Sequence, residues 1–268
     1  MSSIIEVKNL CWKTNGKTIL NDISFTIPNG QFVGVIGTNG SGKTSLLRSL
    51  YRFIKPSSGQ VSLNGNDIWQ QNAIDVAKQI AVVSQSNTNT PYQVVDVVSM
   101  GLIPHKALFE GYSLQDKTLI NNALNQLDLN ELKNNDFETL SGGEQQRVLI
   151  ARAIVQQGHN RNTTQQLLIM DEPTNHLDVH YQLDLLQRVK KLGISVIVSL
   201  HDLNIASAFC DQLLLIDNGE IIRQGTPQHV LNPEIISQIY NVNVSVIKHP
   251  QHNRPHLLFN LDDTNNDK

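Results

Sequence analysis

Cysteine is nearly absent from the sequence, and the two that occur, Cys11 and Cys210, lie far apart. Such spacing supports neither a disulfide framework nor a zinc site, so both thiols are expected to act as small buried hydrophobes. Long apolar runs are missing too. No stretch approaches the ~18 uninterrupted apolar residues of a membrane-crossing helix. Met1 to Asn9 carries Glu6 and Lys8 where a signal peptide requires an apolar run. A cytoplasmic protein is therefore expected. Charge of one sign is not in excess: 21 Lys plus Arg face 24 Asp plus Glu, a net charge of -3, which offers no basic field for nucleic acid. The absence of repeats and coiled-coil heptads excludes solenoids and long helical arms. Asn and Gln are plentiful but form no tract and read as solvated surface. What remains is 40% hydrophobic and 17% charged, with a mean hydropathy of -0.22. That is an ordinary globular composition, and 268 residues suffice for one large domain or two closely joined ones.

The N-terminal third reads as strands at Ile4 to Val7, Ile19 to Ile27 and Gln31 to Ile36, with a helix from Lys43 to Phe53. Further strands are expected at Gly59 to Leu63 and Ile80 to Ser84. From about Val94 to Gln157 the apolar spacing turns helical, which predicts a helical subdomain over roughly residues 90–160 inserted into a sheet-based domain. Strand and helix then alternate through Leu167 to Asp171, Val179 to Lys191, Ile194 to Leu200 and Leu203 to Cys210, the rhythm of a parallel sheet covered by helices. Asn218-Gly219 between Leu213 to Asp217 and Glu220 to Arg223 predicts a hairpin with a type I′ turn. The main domain is placed at 1–245. Residues 246–268 read as an extension, partly frayed, whose His249, His252 and His256 are taken as surface residues.

Two motifs carry chemistry. Gly37-Thr38-Asn39-Gly40-Ser41-Gly42-Lys43-Thr44 fits G-x-x-x-x-G-K-[ST] between a predicted strand and a predicted helix. Glycines let the backbone curl so that its N–H groups face phosphate oxygens, and the helix adds its positive end. Lys43 supplies a charge for the β- and γ-phosphates and Thr44 a hydroxyl for Mg. The apolar strand Leu167 to Met170 ends in Asp171-Glu172, at the sheet edge where α/β ligands bind. Asp171 suits a metal, and Glu172 suits a general base or a group that orients water.

Three more segments complete a family resemblance. Leu140-Ser141-Gly142-Gly143-Glu144-Gln145-Gln146-Arg147 resembles the signature of ATP-binding-cassette (ABC) ATPases. Asp171-Glu172-Pro173-Thr174-Asn175-His176-Leu177-Asp178 is similar to that family's Walker B and D-loop. Gln85 and His201 match its Q-loop glutamine and switch histidine. The resemblance spans residues 4–225 and implies an α/β P-loop NTPase core with a parallel sheet, an N-terminal antiparallel β subdomain and an inserted helical subdomain. It implies ATP and Mg as ligands, held by residues 37–44, Ser45 and the signature residues Ser141, Gly142, Gly143 and Gln145, with Trp12 the nearest aromatic for adenine. Thr44, Gln85 and Asp171 are the implied metal ligands, and Lys43, Gln85, Glu172 and His201 the implied catalytic set. In the family the signature of one protomer completes the ATP site of another, so a homodimer is expected when ATP is bound.

Met100 to His105, Thr174 to Asp178 with Gln182, and His201 to Ala206 most resemble the ATPases of ferric-siderophore, haem and cobalamin importers. That likeness implies integral-membrane permease subunits, indirectly a substrate-binding protein, and a place on the cytoplasmic face of the cell membrane. Ferric siderophore is the first expectation for cargo, with haem or cobalamin as alternatives. Leu102 departs from the subgroup, which often has Arg there near the permease-facing region, and Gln156 to Gln166 reads as a long surface loop. Soluble cassette ATPases acting on ribosomes share the Asp-Glu-Pro-Thr-Asn-His-Leu-Asp stretch, but resemble two cassettes joined by a charged linker. A P-loop nucleotide switch without sustained hydrolysis is a further alternative, against which Glu172 speaks.

Overall fold

The computed structural model describes residues 3–84, 91–158, 166–175 and 177–260. Strands β1 (Ser3–Thr14) and β2 (Lys17–Pro28) form a long antiparallel pair, followed by β3 (Phe32–Ile36) and helix α1 (Lys43–Leu50). Next come β4 (Ser58–Leu63), β5 (Asn66–Asp67), α2 (Ala73–Ala77) and β6 (Ile80–Val83). The insert holds α3 (Val94–Ser99), α4 (Leu114–Gln126) and α5 (Gly142–Gly158), with 3-10 turns at Met100–His105 and Phe137–Thr139. The chain then alternates through β7 (Leu167–Met170), α6 (Val179–Lys191), β8 (Ser195–Ser199), α7 (Leu203–Phe209), β9 (Gln212–Asp217) and β10 (Glu220–Gly225). It continues through α8 (Pro227–Val230), α9 (Pro233–Tyr240), β11 (Asn243–Lys248) and β12 (Pro255–Asn260).

A six-stranded sheet in the order β10-β9-β3-β8-β7-β6 forms the centre, parallel except for β10. Its middle strands are buried on both faces, as their continuous apolar runs require. On one face Val33, Val35, Ile169 and Ile197 share a core with α1 and the antiparallel sheet β2-β1-β4-β5. On the other, Phe32, Ile36, Leu168 and Met170 share a core with the helices of the insert. The insert thus has no separate core.

Four readings change. The first strand runs to Thr14, not Val7, because Asn9 at φ 45 forms a bulge that interrupts the alternation. Gln156 is not in a loop: it lies in α5 and donates to the carbonyls of Ala77 (2.6 Å) and Ile80 (3.0 Å), tying the insert to β6. Leu102 is fully buried in the core while Ile103 beside it is exposed, so this departure concerns packing rather than an outward-facing contact. The proposed break at 245/246 falls inside β11, whose hairpin with β12 is fastened to α7. Asn204 and Leu257 exchange two hydrogen bonds (2.7 and 3.1 Å), and Ser207 donates to the carbonyl of Pro255 at 2.6 Å. On that hairpin the His249 ring stacks on His252 at 3.8 Å and meets His256 edge-on. The residues expected to fray, from Asp262 on, lie outside the described residues.

Candidate nucleotide site

The carboxyl edge of the central sheet gathers the motifs. β3 leads into residues 37–42 and then α1, so the Gly-rich loop leaves the sheet centre and turns directly into a helix N-terminus. Gly37 (φ 151) has no room for a side chain: a Cβ would stand 2.1 Å from the carbonyl oxygen of Ile216. Gly42 (φ 107) caps α1 and lies against Leu20 and the backbone of Ile19. The predicted type I′ turn is present, with Asn218 and Gly219 at φ 46 and 80, and it braces the loop: the Gly219 N–H donates to the Ser41 carbonyl at 2.9 Å.

Lys43 is almost fully buried and its Nζ donates to the carbonyls of Gly37 and Thr38, each at 2.9 Å. Burial lowers its pKa from the ordinary lysine value, while Glu172 and Asp171 pull the other way. The Ser41 hydroxyl is buried with no hydrogen-bond partner among the described residues. An unpaired buried donor at the floor of a loop of glycine amides is what an anion would satisfy, so the cradle fits a phosphate group. Thr38, Asn39, Gly40 and Ser45 lie along the same loop and first helical turn.

β7 delivers Asp171 and Glu172 beside this loop. Thr44 Oγ1 donates to Asp171 Oδ1 at 3.3 Å, bringing together a hydroxyl and a carboxylate, the hard oxygen donors that suit Mg. Glu172 adopts φ 50 at the end of the strand. Its Oε1 lies 2.7 Å from Nε2 of His201, and its Oε2 accepts from Asn175 Nδ2 at 2.5 Å. Ser199, at the end of β8, accepts from the Glu172 N–H and donates to Asp171 Oδ1, both at 2.8 Å. Sequence reasoning gave no role of their own to Asn175, named only within the Walker B and D-loop stretch, or to Ser199. Ser199 lies at the carboxyl end of a strand whose other hydroxyl is Ser195.

The signature lies elsewhere. Ser141 and Glu144 form a capping box: Glu144 Oε2 accepts from the Ser141 hydroxyl (2.6 Å) and N–H (2.8 Å). Those bonds hold the Glu144 carboxyl below its usual range. Gly142 opens α5, and a Cβ on Gly143 would stand 3.4 Å from Leu177. Gln145 donates to the carbonyls of Phe137 (3.2 Å) and Leu140 (3.3 Å), bracing the loop before the signature. Among the described residues no hydrogen bond joins 140–145 to 37–45. Trp12 is half-buried against the core and pairs across the sheet with Leu20, which touches Gly42, so it stands near the loop. Gln85 and His176 lie outside the described residues.

With this geometry in view, comparison with known proteins decides the family. The family model described as ABC transporter matches residues 20–175. The chain belongs to the ABC transporter family. It is 35% identical over 259 residues to the hemin import ATP-binding protein HmuV of Pseudomonas entomophila (strain L48), covering 95% of this chain and 99% of that protein. It is 32% identical to the iron(3+)-hydroxamate import ATP-binding protein FhuC of Bacillus subtilis (strain 168), covering 90% and 89%. Among solved structures, the ABC cassette MJ0796, dimeric in a post-hydrolysis state with ADP and Pi, superposes with a TM-score of 0.71 at 26% identity, covering 83% of this chain and 98% of that one. This ABC protein is thus an ATPase subunit of an importer. ABC cassettes work as dimers with membrane permease partners. No helix among the described residues is long and apolar enough to cross a membrane.

Proposed function

We propose that this ABC ATPase energises import of a ferric siderophore through a separate membrane permease, with hydrolysis centred on Glu172. The observation that carries the chemistry is the placement of Glu172 between His201 and Asn175, next to an Asp171–Thr44 pair and a phosphate-sized cradle. Lys43 and the loop amides bind and orient the phosphates, and Ser41 adds a buried donor. Thr44 and Asp171, with Gln85, would hold Mg, which when bound supplies charge neutralisation for the phosphates. Glu172 orients the attacking water and takes its proton, and His201 holds the Glu172 carboxylate from the other side. Ser141, Gly142 and Gly143 of a second copy close the site.

Siderophore import is supported by the 32% identity to an iron-hydroxamate import protein. Haem is the second reading, favoured by the 35% identity to a hemin import protein. A groove of about 630 Å³ lined by Tyr51, Trp69, Met100, Ile103 and Arg152 suits the permease helix. Glu172→Gln is expected to retain ATP binding and lose turnover by about 100-fold or more, read as steady-state phosphate release; an unchanged rate removes Glu172 from its role. Cells carrying the chain and its permease should accumulate radiolabelled ferric hydroxamate. Uptake of haem alone would move the assignment to the second reading, and uptake of neither would refute iron-chelate import.

A further inference from the structure

We infer that Ser199 is a positioning residue for hydrolysis, setting the metal-binding and water-orienting carboxylates at once through one hydroxyl. The inference rests on the roles proposed above for Asp171 and Glu172. β8 lies between β3 and β7, so its carboxyl end sits between the phosphate loop and the two carboxylates. Ser199 is its last residue and is fully buried.

A serine hydroxyl has one proton to give and lone pairs to receive, and here both are used within the site. The proton goes to Asp171 Oδ1, and the lone pair receives the Glu172 N–H, each at 2.8 Å. Asp171 Oδ1 also accepts from Thr44, while Oδ2 accepts from no described residue. The rotation of the Asp171 carboxylate is therefore set by two hydroxyls, leaving one oxygen free to face a cation. The second bond acts on Glu172. That residue turns into the left-handed region at φ 50, a conformation that non-glycine residues hold only where the surroundings fix it. The Ser199 bond pins the N–H of that turn and so fixes the direction in which the Glu172 side chain leaves the strand. His201, two residues on, meets that side chain from the same strand end. One strand thus supplies a brace for the backbone of Glu172 and a contact for its carboxylate.

Ser199→Ala removes both bonds without adding volume. Outer-sphere partners of this kind change metal affinity or activity by about 10- to 100-fold. The variant should keep its thermal midpoint and its metal-free ATP affinity, lose about 10- to 100-fold in kcat with little change in KM, and bind Mn2+ with ATPγS about tenfold more weakly by electron paramagnetic resonance. Ser199→Thr, which restores a hydroxyl, should recover both kcat and Mn2+ binding. Wild-type turnover in Ser199→Ala would overturn the inference. So would a kcat loss that follows a lowered thermal midpoint with Mn2+ binding unchanged, since Ser199 would then only pack. Glu172→Gln in the same assay keeps the two levels apart: if it stalls while Ser199→Ala is normal, only this inference fails, and if it turns over at the wild-type rate, the underlying assignment fails.

Discussion

Lys43 is held within the loop it is proposed to serve. Its ammonium donates to the carbonyls of Gly37 and Thr38, holding the curl of the loop, and its burial is partly offset by Glu172 and Asp171. A charge-assisted hydrogen bond contributes about 1.5 to 3 kcal/mol, so Lys43→Ala should weaken ATP binding by roughly 10- to 100-fold. Fluorescent-nucleotide titration checks this, and an unchanged affinity would refute the phosphate-loop assignment. The residues of the loop could be read in sequence because each is forced by local geometry: Gly37 because a Cβ would meet a backbone carbonyl, and Gly42 because its φ is left-handed. Ser199 and Asn175 could not, because their partners arrive from the end of a neighbouring strand or from a turn whose shape local spacing does not encode. Gln145, which the resemblance implies as a nucleotide contact, donates in the single chain to two carbonyls before the helix.

At the level of elements, periodicity worked best where burial is one-sided and helices are long. α6 has the bounds expected from its spacing, Val179–Lys191, and the helical region expected from about Val94 to Gln157 holds α3, α4 and α5. It failed where the chain departs from its period. α1 stops at Leu50 rather than Phe53, with Arg52 in the left-handed region. The β11–β12 hairpin owes its place to bonds with α7 rather than to its own pattern. The Met100–His105 turn crosses α5 in close backbone contact. A Cβ at Gly101 would lie 2.3 Å from the Arg152 carbonyl and 3.0 Å from the Gln156 nitrogen. Both are backbone atoms and cannot turn aside. Overpacking of this sort typically costs about 1 to 3 kcal/mol, so Gly101→Ala should lower the thermal midpoint by about 5 °C. Differential scanning calorimetry provides the test, and an unshifted midpoint would mean the turn can slide off α5. Because Gln156 links the same helix to β6, the variant should also loosen the insert against the sheet, read as faster amide exchange in α3 and α5.

Across the whole molecule, the two segments proposed to bind phosphate open different helices. The phosphate loop ends at α1, the signature begins α5, and no described hydrogen bond joins them. In the single chain the α5 N-terminus is occupied by Glu144, whose carboxylate accepts from both the hydroxyl and the N–H of Ser141. A nucleotide phosphate from a second copy would compete with that carboxylate for the Ser141 donors. If the proposed signature contact closes the site, the dimer should persist only while ATP is retained. Glu172→Gln with Mg-ATP is expected to elute at twice the 29.9 kDa monomer mass, and at the monomer mass with ADP. Adding Ser141→Arg, which places a long cation at the rim of α5 far from the loop, should abolish the dimer while leaving ATP affinity within about twofold. For the unmutated chain, the rate per molecule should rise with protein concentration, because two half-sites must meet. Persistence of the dimer with Ser141→Arg would show that the signature does not close the site. A concentration-independent rate would show that one copy hydrolyses ATP alone.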